Sequence, residues 1–140
     1  MGVNKFFKEK KKAKANEFFP ATKSLLGDDG KPILWEIRPL STREDEEIRE
    51  ACTKEIPIAG RANLFRAKVD TAAYMAKLAV ASIVEPDLYD ASLQDSYGVM
   101  DPESLIKEIV DDPGEYAKLI EFIQGLSGYD MASLMEEAKN

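Results

Sequence analysis

A chain of 140 residues, 44% hydrophobic and 32% charged, is expected to fold as one soluble globular domain whose core needs neither disulfides nor a structural metal. A single cysteine, Cys52, excludes an internal disulfide, and the lack of histidine removes Ser-His and Cys-His nucleophile activation together with the commonest zinc sets. The net charge of −7 is unevenly placed: residues 1–23 carry seven lysines against two glutamates, whereas the rest holds 12 basic and 24 acidic residues, so a polyanion is repelled everywhere except at the N-terminal arm.

The first element is that arm, residues 1–16, where Phe6 and Phe7 stand among Lys5, Lys8, Lys10, Lys11, Lys12 and Lys14. It reads as a flexible basic tail, or as a segment that orders when its aromatics dock on a partner. It lacks the apolar stretch of a signal peptide, and no run in the chain approaches the ~20 apolar residues of a membrane span. A cytoplasmic location without membrane contact is therefore expected.

A single domain over residues 17–140 follows, and a β-hairpin is expected to open it. The first limb runs from Glu17 through Phe18 and Phe19 to Leu26, Gly27-Asp28-Asp29-Gly30 reverses the chain, and Ile33 to Leu40 returns. On the return, Ile33, Trp35 and Ile37 share one face, with Pro32 and Pro39 restricted to strand ends. Trp35 reads as core or as an edge anchor for a partner.

Ser41-Thr42-Arg43-Glu44 is a capping box that starts a surface helix with Ile48, Ala51 and Cys52 as its apolar stripe. Pro57, Gly60 and the polar residues around Arg61–Asn63 predict a connecting loop. From Arg66 to Val84 the alanine-rich pattern is apolar nearly all round, as expected of a central helix that ends before Pro86. A short helix over Leu88–Tyr97 closes at Gly98, which favours the left-handed C′ position. Asp101-Pro102 starts a helix with Leu105, Ile106, Ile109 and Val110 inside. Pro113 starts another, bearing Tyr116, Leu119, Ile120, Ile123 and Leu126, and a last helix is expected over Asp130–Ala138. The expected architecture is α+β, mainly α: an N-terminal β-hairpin followed by about five or six packed helices.

The carboxylate groups Asp28-Asp29 and Asp111-Asp112-Pro113-Gly114-Glu115 lack the alternating ligands of a calcium loop, and turn and cap roles suffice for them. The scattered glycines form neither a P-loop nor a dinucleotide fingerprint. No catalytic, cofactor-binding or metal residues are assigned, and no enzyme is expected.

The order of several strings carries a further reading. Trp35-Glu36-Ile37-Arg38-Pro39, Cys52-Thr53-Lys54, Lys77-Leu78-Ala79-Val80-Ala81-Ser82, Leu93-Gln94-Asp95-Ser96-Tyr97-Gly98-Val99-Met100, Pro113-Gly114-Glu115-Tyr116 and Glu136-Glu137-Ala138-Lys139-Asn140 together resemble the XkdN-like tail assembly chaperones of bacteriophages and prophages. The resemblance departs from the family pattern mainly between Ile58 and Asp70, where the loop is short. It implies a cytoplasmic chaperone in the infected bacterium that engages the tail tube protein and the tape measure protein, uses no cofactor, and is absent from the mature virion. It also implies a frameshifted long form, and Ala138-Lys139-Asn140 is compatible with a slippery A-AAA-AAC heptamer. Within that reading Phe6, Phe7, Phe18, Phe19 and Trp35 are the candidate partner-binding residues. The alternative is a nucleic-acid-associated phage protein that binds through the Lys-rich arm.

Overall fold

The computed structural model describes residues 2–129. The arm forms two 3-10 turns, Gly2–Phe6 and Lys8–Lys10, neither of which contributes a buried residue. Strand β1, Glu17–Phe19, pairs antiparallel with β2, Trp35–Ile37, and Phe19 stands opposite Trp35. Between them the chain reverses at Gly30, whose φ of +78° suits glycine, and Asp29 Oδ1 accepts the Lys31 N–H at 3.0 Å.

Helix α1, Thr42–Ala51, begins with the expected capping box: Ser41 Oγ accepts the Glu44 N–H, and Glu44 returns to accept the Ser41 N–H. Strands β3, Thr53–Pro57, and β4, Phe65–Val69, then form a separate antiparallel ribbon. Helix α2, Thr71–Ser82, starts where Asp70 accepts the Ala73 N–H, and it leads directly into β5, Ile83–Glu85. Helices α3, Ala91–Ser96, α4, Pro102–Ile109, and α5, Pro113–Leu126, follow.

This arrangement corrects the fold expected from sequence. Strands are not confined to one N-terminal hairpin: β5 joins β2 to complete a sheet of order β1-β2-β5, and β3-β4 make a second sheet. Two local reasons account for the difference. β-Branched Ile83 and Val84 favour extended backbone, and Pro86 biases the residue before it away from helix, so the helical pattern stops at Ser82. Residues 66–69, expected inside the central helix, instead continue the alternation Phe65-Arg66-Ala67-Lys68-Val69, and Asp70 caps the helix after them. Five α-helices are described; the helix expected over Asp130–Ala138 and the terminal Ala138-Lys139-Asn140 lie outside the described residues.

The core lies where α2 meets α1, α4 and α5 and the inner face of the larger sheet. Trp35 and Ile37 enter it from β2, Leu78 and Ala79 from α2, Leu105 and Ile106 from α4, and Leu119 and Ile123 from α5. Cys52 is buried there as a free thiol. A polar clamp holds the β1–β2 connection to α5. The buried Thr22 hydroxyl donates to Glu115 Oε1 and the Lys23 N–H donates to Oε2, both at 2.8 Å, and these bonds hold the Glu115 carboxyl below its ordinary pKa.

Candidate partner-binding surfaces

The five candidate aromatics divide between surface and core. Phe6 is 77% exposed and Phe7 49% exposed on the arm, and Lys5 Nζ stands 5.5 Å from the centre of the Phe6 ring. Phe18 is opposite Glu36 in the sheet and points away from the core at 59% exposure. Its neighbour Phe19 points inward and stacks on Phe122 of α5 at 4.4 Å between ring centres. Trp35 is buried, 1% exposed. This alternation is the period of two imposed by a strand. Phe6, Phe7 and Phe18 are thus free to touch another molecule, while Phe19 and Trp35 pack within the chain.

The arm lies beside the start of α1 and with it lines an open cleft of about 760 Å³, to which Lys8, Lys11, Lys12, Lys14 and Arg38 bring positive charge. Arg38 is already committed. Its two terminal nitrogens donate to the Glu44 carboxylate at 3.1 and 2.5 Å, a bidentate arrangement. The Arg38 bonds, with help from the Ser41 N–H and against partial desolvation, push the Glu44 carboxyl down to about 2.

A second concavity, of about 590 Å³, has Leu25, Ile33, Leu34 and Val84 among its lining and Glu85, Asp87 and Asp90 beside them. The alternation in sequence puts Ile33 on one strand face with Trp35 and Ile37. Because β2 begins only at Trp35, Ile33 precedes the strand and is 43% exposed.

Near α1, Tyr74 donates its hydroxyl hydrogen bond to Asp45 and accepts one from Arg49 at 3.1 Å, with the guanidinium 4.6 Å over the ring. Burial, followed by the Asp45 bond, raises the Tyr74 pKa, so the phenol stays protonated and serves as a latch between α1 and α2. Among the described residues, no three Asp, Glu or Cys side chains gather as a metal-holding set, and no helix is long and apolar enough to cross a membrane.

Sequence reasoning also missed the β3–β4 ribbon, although its signal is present in the alternation from Phe65 to Val69. Asn63 at φ +62° and Gly60 at φ +76° shape the ribbon's turn, within the segment for which Pro57, Gly60 and the polar residues predict only a connecting loop.

Exposed aromatic and aliphatic groups thus lie on the arm, on the outer face of β1 and on the ribbon. The comparisons with known proteins define the class more narrowly. The family model described as phage XkdN-like tail assembly chaperone protein matches residues 3–139, and the chain belongs to that family. Among its relatives is the phage-like element PBSX protein XkdN of Bacillus subtilis (strain 168), 28% identical over 138 residues that span 96% of this chain and 92% of that protein. The uncharacterized protein YqbN of the same organism is 25% identical over 123 residues, 86% of this chain and 81% of YqbN. A crystal structure of a protein named YqbN shares the fold, with a TM-score of 0.75 at 18% identity, covering 93% of this chain and 98% of that one.

Proposed function

We propose that this phage tail assembly chaperone binds the tail tube protein and the tape measure protein during tail morphogenesis, in the cytoplasm of the host bacterium, and leaves before the virion is complete. The observation that carries the reading is the family match across nearly the whole chain. The physical need is specific. Tube subunits destined to assemble with one another present sheet edges and apolar patches, and such surfaces aggregate when left uncovered. Exposed Phe6, Phe7 and Phe18 supply apolar groups for a temporary cover. The cover acts by binding alone, without nucleotide or cofactor, and releases when tail proteins bind one another more tightly. Likeness to a protein of a phage-like element favours a prophage setting.

Co-expression with the cognate tube or tape measure protein, followed by sedimentation and sizing, tests the proposal. A soluble complex and less partner in the pellet are expected. Unchanged aggregation with no complex would refute it.

A further inference from the structure

The β3–β4 ribbon contributes no buried residue to its own domain. Only its root is fixed. Val69 packs half-buried against the core, the Asp70 N–H donates to the Cys52 carbonyl at 2.8 Å, and the Thr53 hydroxyl donates to the Arg49 carbonyl at 2.8 Å. A two-stranded ribbon with no covering layer is marginal in water, yet among the described residues no layer covers this one, and Leu64 and Phe65 are about half exposed.

The register sorts its side chains by face. Lys54 stands opposite Lys68 and Ile56 opposite Arg66, and the Ile58 N–H bonds to the Leu64 carbonyl at 3.0 Å. These six residues therefore share one side, where three cations alternate with three aliphatic side chains and no acid intervenes. Like charges directly opposite are unfavourable in an isolated sheet. Asp70 relieves Lys54 at 2.9 Å, but among the described residues Arg66 and Lys68 have no acidic partner. Residues 53–69 hold Lys54, Arg61, Arg66 and Lys68 against Glu55 alone, in a chain whose net charge is −7.

We propose that this face is the docking surface for an acidic segment, studded with apolar side chains, of a tail protein that the chaperone holds. The assignment rests on the chaperone reading and adds where, and by what chemistry, the grip is made. Arg66 and Lys68 meet carboxylates, while Ile56, Ile58 and Leu64 cover apolar groups between them. Among the described residues each strand also has one unpaired edge, so an extended segment can add as a third strand. Duplex nucleic acid fits less well, because a phosphate backbone offers nothing to three aliphatic side chains and the acidic remainder of the chain repels it.

The test uses the full chain co-expressed with tagged tail tube or tape measure protein. Arg66→Glu with Lys68→Glu forms one variant, Ile58→Ser with Leu64→Ser a second, and Lys107→Glu on α4 is the control. Both ribbon variants should retain the partner about tenfold less well or worse at unchanged melting temperature, and added salt should weaken retention by the parent chain. Full retention by both ribbon variants would overturn the docking assignment and leave the chaperone reading standing. If the parent chain retains neither tail protein, the chaperone reading fails and the docking assignment falls with it. Two further outcomes also overturn it. Loss confined to duplex DNA binding makes nucleic acid the occupant, and loss confined to self-association on a sizing column makes it a second copy.

Discussion

Replacing Phe6 and Phe7 together with alanine separates the surface aromatics from the core. Full burial of a phenylalanine side chain is worth about 1.5–3 kcal/mol. Phe6 keeps 77% of its surface exposed and Phe7 49%, so the area still available to a partner corresponds to about 2 and about 1 kcal/mol if both dock fully. The double variant should therefore bind a tail protein up to about 100-fold more weakly. The free chain should barely change, since neither 3-10 turn buries a residue; a loss below about 1 kcal/mol moves the melting temperature by no more than a few degrees. Trp35→Ala makes the contrast. It empties a site that is 1% exposed and should cost about 3–5 kcal/mol, a drop of the order of 10 °C or more. Calorimetry on the three proteins and titration of each into the captured partner are the assays. The reasoning fails if the Phe6/Phe7 variant melts as low as Trp35→Ala, or if it binds as well as the parent.

Gly98→Ala and Gly125→Ala should act in opposite directions. Both sites are open to a Cβ, but Gly98 has φ +69° and alanine there should cost about 1 kcal/mol, whereas Gly125 lies inside α5 and should gain up to about 1 kcal/mol, measured by urea unfolding. Glu44→Gln should destabilise by about 1 kcal/mol at neutral pH, discounted because the Glu44 side chain is 35% exposed. With the folded carboxyl lowered to about 2, that contribution is fully present above the ordinary value of 4.5 and disappears as pH falls toward 2; a difference between parent and variant that ignores pH contradicts the assigned bonds. Ile123→Ala, at a site with no exposed surface, should cost about 2–5 kcal/mol in the same unfolding assay.

Where one local signal dominated, sequence and structure agree. The capping box at Ser41 and Glu44, the Asp101-Pro102 start of α4 and the turn through Gly98 are short-range chemistry, readable without knowing what packs nearby. The apolar face of α5 was equally legible, because Leu119, Ile120 and Ile123 repeat at helical spacing and meet the core as expected. The misreadings fall where two patterns overlap. Residues 66–69 alternate as a strand but adjoin an alanine-rich helix whose apolar pattern runs back over them. The same helical pattern runs forward over Ile83 and Val84, where β-branching and the following Pro86 favour extended backbone and pairing with β2, 46 or more residues earlier, completes the strand. Among the candidate site residues, the exposure of Phe18 and the burial of Phe19 depend on which side of β1 meets Phe122, a fact about tertiary packing that adjacent phenylalanines do not disclose.

The division between what folds and what projects has a functional logic. Among the described residues the arm and the ribbon bury none, and apart from half-buried Val69 at the ribbon's root the core is built from other elements, chiefly β2, α2, α4 and α5. A chaperone that bound through its core would have to open in order to grip or release. Here the exposed aromatics of the arm and the aliphatic and cationic side chains of the ribbon can exchange water for a partner and back again while the domain stays folded. The basic charge concentrated on both projections, against an acidic remainder, would also draw an acidic partner toward them before apolar contact forms. That attraction weakens with salt, whereas the apolar contacts do not, so the two contributions are separable in one titration series: raising ionic strength should slow association while changing dissociation little. Dissociation that accelerates as steeply as association slows would place ion pairs, rather than Phe6, Phe7, Ile58 and Leu64, at the centre of the grip.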